Sequence, residues 1–233
     1  MFQSFRRKIR FFLNELKKPD YEIISLGPNC YPKTFLTRNK LKRNKASGEK
    51  TMPFDLAWYK DAKFITEFIQ NDFMNFFDDM KYSESAESWD SSFKINFSHE
   101  KSFKANDLEK LVDMYIGRVS NFRKAIESEK PLLFIQILKD KEIGEDVKNL
   151  YEILKARRGQ KPFELIIIDT NEIIKNPIEN VSIIKIYKTL DNESIYKPEF
   201  YNSEAGKAFE KEIIKHIKFV LKRKLHKNLV RFF

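Results

Sequence analysis

The chain has 233 residues, a formal net charge of +10, three histidines and one cysteine. That length buries a core without disulfide or metal staples and suits one domain rather than two catalytic ones. A single cysteine excludes an intramolecular disulfide and zinc sites built from four cysteines or from two cysteines and two histidines. An all-histidine site would consume every histidine, so neither metal nor cofactor is expected.

Residues 1–20 form a basic amphipathic segment, with Phe2, Phe5, Ile9, Phe12, Leu13 and Leu16 at near-helical spacing among Arg6, Arg7, Lys8 and Arg10. It lacks the apolar run of a signal peptide or membrane span, and is expected either to pack back on the domain or to touch an anionic membrane surface. Residues 21–233 read as one α/β domain. Tyr21 to Leu26 is a short buried strand, Gly27, Pro28 and Asn29 a turn, and Cys30 to about Leu41 a helix with Asn29 as its cap and Pro32 tolerated in the first turn. A basic loop from Lys42 to Lys50 leads to Pro53, Phe54 and Asp55, and helical patterning returns over 62–77. Lys81 to Ser92 reads as a surface loop, and Phe93, Ile95 and Phe97 alternate as a strand.

A helix is expected over 106–129, followed by apolar bursts at 132–138, 163–168 and 181–187 with a helix over 143–157 between the first two. That order resembles βαβ units and predicts a mostly parallel central sheet flanked by helices, a Rossmann-like three-layer architecture. The last helix runs from about Ser203, its cap, to Lys227. Phe209, Ile213, Ile217 and Val220 should face the body, and Lys211, Lys215, Lys218 and Lys222 the solvent, with His216 and His226 exposed or peripheral.

Charge is uneven, acidic between Asp61 and Asp90 and lysine-rich from Lys207 onward. Such polarity fits phosphorylated or nucleotide-linked substrates, RNA or anionic lipid, and equally a merely solvated lysine face. Aromatic residues do not interleave with the basic ones as on a single-strand platform, which disfavours nucleic acid. The unpaired thiol suits a reducing compartment, so the expected location is cytoplasmic, with the inner membrane surface as a variant. Composition sets no oligomeric state.

The chemically loaded position is Cys30. In Ser25-Leu-Gly-Pro-Asn-Cys30 a strand fixes position, Gly27 permits close backbone approach, and a helix N-terminus is expected to lower the thiol pKa. Packing as a small buried hydrophobe is the alternative. The Gly-Lys-Ser/Thr ending of a nucleotide-binding loop is absent, as are the Gly-x-Ser-x-Gly elbow and the His-Glu-x-x-His motif. Asp169, ending the 163–168 burst, is a candidate support for a catalytic histidine, because strand C-termini line the usual crevice of open α/β sheets.

SLGPNC, the Pro53-Phe-Asp55 triplet, Ser98-His-Glu100 and the later MYIGRVSNF and PLLFIQI together resemble an uncharacterised bacterial family described as papain-like cysteine peptidases, over Tyr21 to Leu138. The resemblance implies Cys30 as nucleophile, His99 as base, and Asp55 as orienter of His99 or substrate contact, with Gly27 and Asn29 near an oxyanion and Arg118 supporting. Leu56 stands where the family pattern has tryptophan, and Gly117 and Asn121 replace two arginines of a helix signature. It further implies a cysteine-dependent hydrolase or acyltransferase acting on a glycan-linked or acylated substrate in surface-polysaccharide synthesis. A noncatalytic sugar-nucleotide, RNA or protein-binding module is the competing reading. A papain-style Cys-Gly-Ser-Cys-Trp neighbourhood is missing, so peptide hydrolysis itself is not implied by the residues.

Overall fold

A computed structural model describes residues 21–27, 29–42, 50–59, 61, 63–91, 94–138, 144–169, 174–186, 195 and 197–230, the side chains of 222–230 excepted. The predicted segment 1–20 and most of the basic loop after Lys42 lie outside the described residues. In chain order the elements are β1 (Glu22–Ser25), α1 (Tyr31–Arg38), β2 (Trp58–Tyr59), α2 (Lys63–Gln70), β3 (Met80–Ser83), β4 (Ser88–Ser91), β5 (Ile95–Asn96), α3 (Leu108–Glu127), β6 (Leu132–Ile137), α4 (Gly144–Arg158), β7 (Phe163–Asp169), β8 (Val181–Lys185), α5 (Pro198–Tyr201) and α6 (Glu204–Val230).

β1, β6, β7 and β8 form a parallel sheet in the order β1-β6-β7-β8, with Ile24 opposite Phe134, Phe134 opposite Leu165 and Leu165 opposite Val181. β6 is buried along its whole length, as a strand covered on both faces must be, and its apolar run, interrupted only by Gln136, is the signature of that burial. Alternate residues serve the two faces. Leu132, Phe134, Leu165 and Ile167 pack with Leu111 and Tyr115 of α3 and Leu150 and Leu154 of α4. Leu133, Ile135, Ile166 and Ile168 pack with Tyr31 and Phe35 of α1 and Phe209, Ile213 and Ile217 of α6. The helices thus cover both faces of this sheet.

A second sheet corrects the expectation of one central sheet. β2, β5, β4 and β3 form an antiparallel layer in that order, and the stretch predicted as a surface loop over Lys81 to Ser92 supplies two of its strands. The period-2 signal was hidden because β4 buries a serine on each of its faces. Ser88 and Ser91 are buried, Ser91 Oγ donating to the Asp78 carbonyl at 2.7 Å, while Tyr82 and Trp89 meet across the strands at 5.3 Å. The helix expected over 62–77 stops at Gln70. Asp72 and Phe73 adopt left-handed φ values of 50° and 62°, and the turns that follow still deliver Phe73 and Phe76 to the core.

Buried Arg158 closes the link between α3 and β6, donating to the carbonyls of Ile126 (2.6 Å), Ser128 (2.7 Å), Lys130 (2.8 Å) and Pro162 (2.9 Å). At the other end of the chain, Ser203 Oγ accepts the Gly206 amide at 3.0 Å and caps α6 as predicted. A Cβ at Gly206 would stand 2.0 Å from the Phe200 carbonyl oxygen, so the corner between α5 and α6 requires glycine. Phe209, Ile213 and Ile217 are fully buried and Val220 partly so, whereas Lys211, Lys215, Lys218 and His216 are exposed. The Lys222 and His226 side chains lie outside the described residues. Among the described residues no helix is long and apolar enough to cross a membrane. Ile213→Ala should therefore lower unfolding free energy by about 2–5 kcal/mol in a denaturant titration; an unchanged midpoint would mean that α6 is not part of the cooperative core.

Candidate active site

The position of Cys30 follows from how β1 ends. The Leu26 amide continues the ladder to the Ile135 carbonyl at 2.8 Å, and Gly27 then turns the chain with φ +76°. A Cβ there would approach the Asn29 amide and the Tyr59 ring at 3.3 Å, so glycine is required both by conformation and by space. Asn29 Oδ1 accepts the Tyr31 amide at 2.9 Å, and the Cys30 carbonyl accepts the Thr34 amide at 3.0 Å. The helix begins one residue later than expected, so Cys30 and not Asn29 stands at its boundary, and Asn29 accepts the first helical amide from outside the helix. Pro32 falls in the first turn, where its missing N–H leaves no bond unmade.

α1 leaves β1 for one face of the parallel sheet, and α4 leaves the adjacent β6 for the other. Where neighbouring strands send their chains to opposite faces, a crevice opens outside their carboxyl ends, the usual ligand position in open α/β sheets. Cys30 follows the carboxyl end of β1, beside this change of direction, with its side chain partly buried. Burial pushes its thiol above the ordinary value, outweighing a backbone hydrogen bond and the Arg38 charge, which pull the other way. The expectation that the helix end lowers this pKa is thereby reversed: desolvation of the thiolate exceeds the stabilisation offered by one short helix.

Asp55 is fully buried. Its Oδ1 lies 3.2 Å from Lys42 Nζ, while Oδ2 lies 3.2 Å from Lys33 Nζ and accepts the Met52 amide at 2.8 Å. Lys33 belongs to the first turn of α1 and Lys42 follows that helix, so one carboxylate of the Pro53–Asp55 loop holds the Cys30 helix at both ends. Burial pushes the Lys42 ammonium below its ordinary value, and Asp55 opposes that shift. Asn121 reinforces the same loop from α3, donating from Nδ2 to the Thr51 carbonyl at 3.2 Å.

His99 is exposed on the turn after β5 and makes no hydrogen bond to Cys30 or Asp55. Its neighbour Glu100 turns inward instead, with Oε1 at 2.7 Å from Arg118 Nη1, and the Arg118 guanidinium lies 4.3 Å from the centre of the Tyr115 ring. Tyr59, which touches the Gly27 turn, donates to the Pro53 carbonyl at 3.3 Å. Burial raises the phenols of both Tyr59 and Tyr115 well above the ordinary range, so they act as neutral groups. Asp169 is buried at the end of β7, where Oδ2 accepts the Ile174 amide at 2.8 Å.

Gly27, Asn29 and Cys30 thus share one turn, and Asp55 joins them through Lys33. Arg118 sits with Glu100 in the layer of α3, whereas His99 and Asp169 are bonded to neither Cys30 nor Asp55. Lys33, Lys42 and Glu100 were missed by sequence reasoning. Their signal was the need of any buried Asp55 or Arg118 for a counter-charge. Among the described residues no group of three or more His, Cys, Asp or Glu side chains could hold a metal ion.

Removing the Asp55 carboxylate leaves two ammonium groups without their counter-charge and the Met52 amide without its acceptor. Asp55→Ala should cost about 3–5 kcal/mol in chemical unfolding; a loss of under about 1 kcal/mol, the scale of an exposed pair, would show that the triplet is solvated.

Residues 21–172 match the family model described as "Putative papain-like cysteine peptidase (DUF1796)", which carries the likeness beyond Leu138 and through β7. Comparisons with curated proteins and with solved structures returned no match. The matched region takes in the Cys30 turn, the Asp55 loop, the His99 turn and the Arg118 helix, and the chain belongs to the DUF1796 family.

Proposed function

We propose that this protein is a cysteine-dependent hydrolase or acyltransferase with Cys30 as nucleophile, acting on a sugar-linked acyl group in surface-polysaccharide synthesis or modification. The observation that carries the reading is the placement of the protein's one thiol at the carboxyl end of β1, next to β6 in the parallel sheet, at the start of a helix held by the Asp55 ion pairs. A raised thiol needs a base, and His99 fills that role by taking the Sγ proton as the sulfur attacks the acyl carbon. The new C–S bond replaces the bond to the leaving oxygen, which receives the proton from His99. Water, or a sugar hydroxyl in transfer, then attacks the thioester, loses its proton to His99 and expels the thiolate, which takes that proton back from His99. Asn29 Oδ1 is committed to the Tyr31 amide, so its Nδ2 is the donor assigned to the developing oxyanion.

A noncatalytic binding module is the second reading, favoured by the raised Cys30 thiol and by the lack of a His99 bond to it. Turnover of an activated aryl ester separates the two. Cys30→Ala should abolish hydrolysis without changing the circular dichroism spectrum, and His99→Ala should lower kcat by about 100-fold or more. Wild-type turnover no faster than that of Cys30→Ala would favour the binding module.

A further inference from the structure

The terminal helix meets the Cys30 helix through one carboxylate. Glu210 of α6, only 6% exposed, accepts Tyr31 Oη at 3.2 Å, Asn39 Nδ2 at 2.8 Å and Arg38 Nη2. Tyr31 opens α1 immediately after Cys30, and Asn39 closes it, so a single side chain from outside the family-matched region grips both ends of the helix. The Arg38 guanidinium is folded back along α1, 5.8 Å from the centre of the Tyr31 ring and 4.0 Å from that of Tyr201.

We propose that Glu210 is a positioning residue for Cys30: from the C-terminal helix it fixes α1 and offsets the Arg38 charge, and so sets the reactivity of the thiol. Among the described residues, the charged groups around the Cys30 helix include Lys33 and Arg38 on α1, Lys40 just after it, Glu210 on α6, and Asp55 with Lys42 from the loops at its ends, where Glu22 also acts on Lys42. Lys33 and Lys42 pair with Asp55. Arg38 favours the ionised thiol, and Glu210 is its counter-charge. With Glu210 ionised, part of that positive charge is offset, which adds to the burial that keeps the thiol above its ordinary value.

Because the protein has one cysteine, iodoacetamide alkylation across a range of pH reads this directly and needs no substrate. The inference concerns the thiol invoked under the proposed function, but it stands or falls on thiol ionisation, separately from any acyl chemistry. Glu210→Gln keeps a side chain of the same shape without its charge. It should raise the alkylation rate near neutral pH by about threefold and move the profile to lower pH. Arg38→Gln should do the reverse, slowing alkylation and moving the profile to higher pH. A purely structural clamp predicts something else: both variants loosen α1 and expose the sulfur, which relieves its burial, so Arg38→Gln as well as Glu210→Gln reacts faster with its profile at lower pH, an outcome that would overturn the proposal. Should Glu210→Gln melt below the assay temperature, Arg38→Gln decides alone, since a faster reaction in that variant contradicts the electrostatic role and a slower one supports it.

Discussion

A fully buried carboxylate cannot be left alone, and Asp55 is where the candidate site begins. Its three contacts, to Lys33, Lys42 and the Met52 amide, join the loop before β2 to both ends of α1. An uncompensated charge at that depth costs several kcal/mol, which is why the three pieces cannot separate one at a time. The Gly27 turn is then confined between a strand locked into the parallel sheet and a helix locked to the Asp55 loop, which fixes where Cys30 stands after β1. Burial pushes the Lys42 ammonium down, while Asp55 and, more weakly, Glu22 hold it up.

The electrostatics of the sulfur are a contest between burial and nearby positive charge, and burial wins. A neutral resting thiol is protected from adventitious oxidation, since the thiolate is the reactive form. In the proposed reaction such a thiol is deprotonated at the moment of attack, the role proposed for His99, which lies exposed on the turn after β5. Glu210 adds a second control from the opposite side of α1. The anchoring groups near Cys30 therefore come from separate segments, the Asp55 loop and the last helix, which meet only in the folded protein.

Much of this was legible in the sequence because it rests on unbroken apolar runs or clear periodicity. β6 and β7 stand out as buried strands, α3 and α4 are placed to within two residues, and α6 is capped at Ser203 with Ile213 inside and Lys215 outside. The antiparallel sheet was not legible. Its strands are two to four residues long, and buried serines on both faces of β4, at 88 and 91, erase the alternation that Trp89 and Ile95 would otherwise announce. The site was legible in its motifs but not in its wiring. The Ser98–Glu100 motif drew attention to histidine, yet Glu100 is the member that enters the interior, because Arg118 needs a counter-charge there. Asp55 was singled out by its motif, and its contacts run to Lys33, Lys42 and the Met52 amide. Lys33 and Lys42 were not singled out, because only the fold brings them onto one carboxylate.

Intact-protein mass spectrometry during a single turnover of an activated acyl ester measures the chemistry of Cys30 most directly. A nucleophilic Cys30 predicts one added acyl group, mapped to that residue and discharged over time to water or to an added sugar hydroxyl. Consumption of the ester with Cys30 unmodified throughout, or acylation of Cys30 that never discharges, would contradict it.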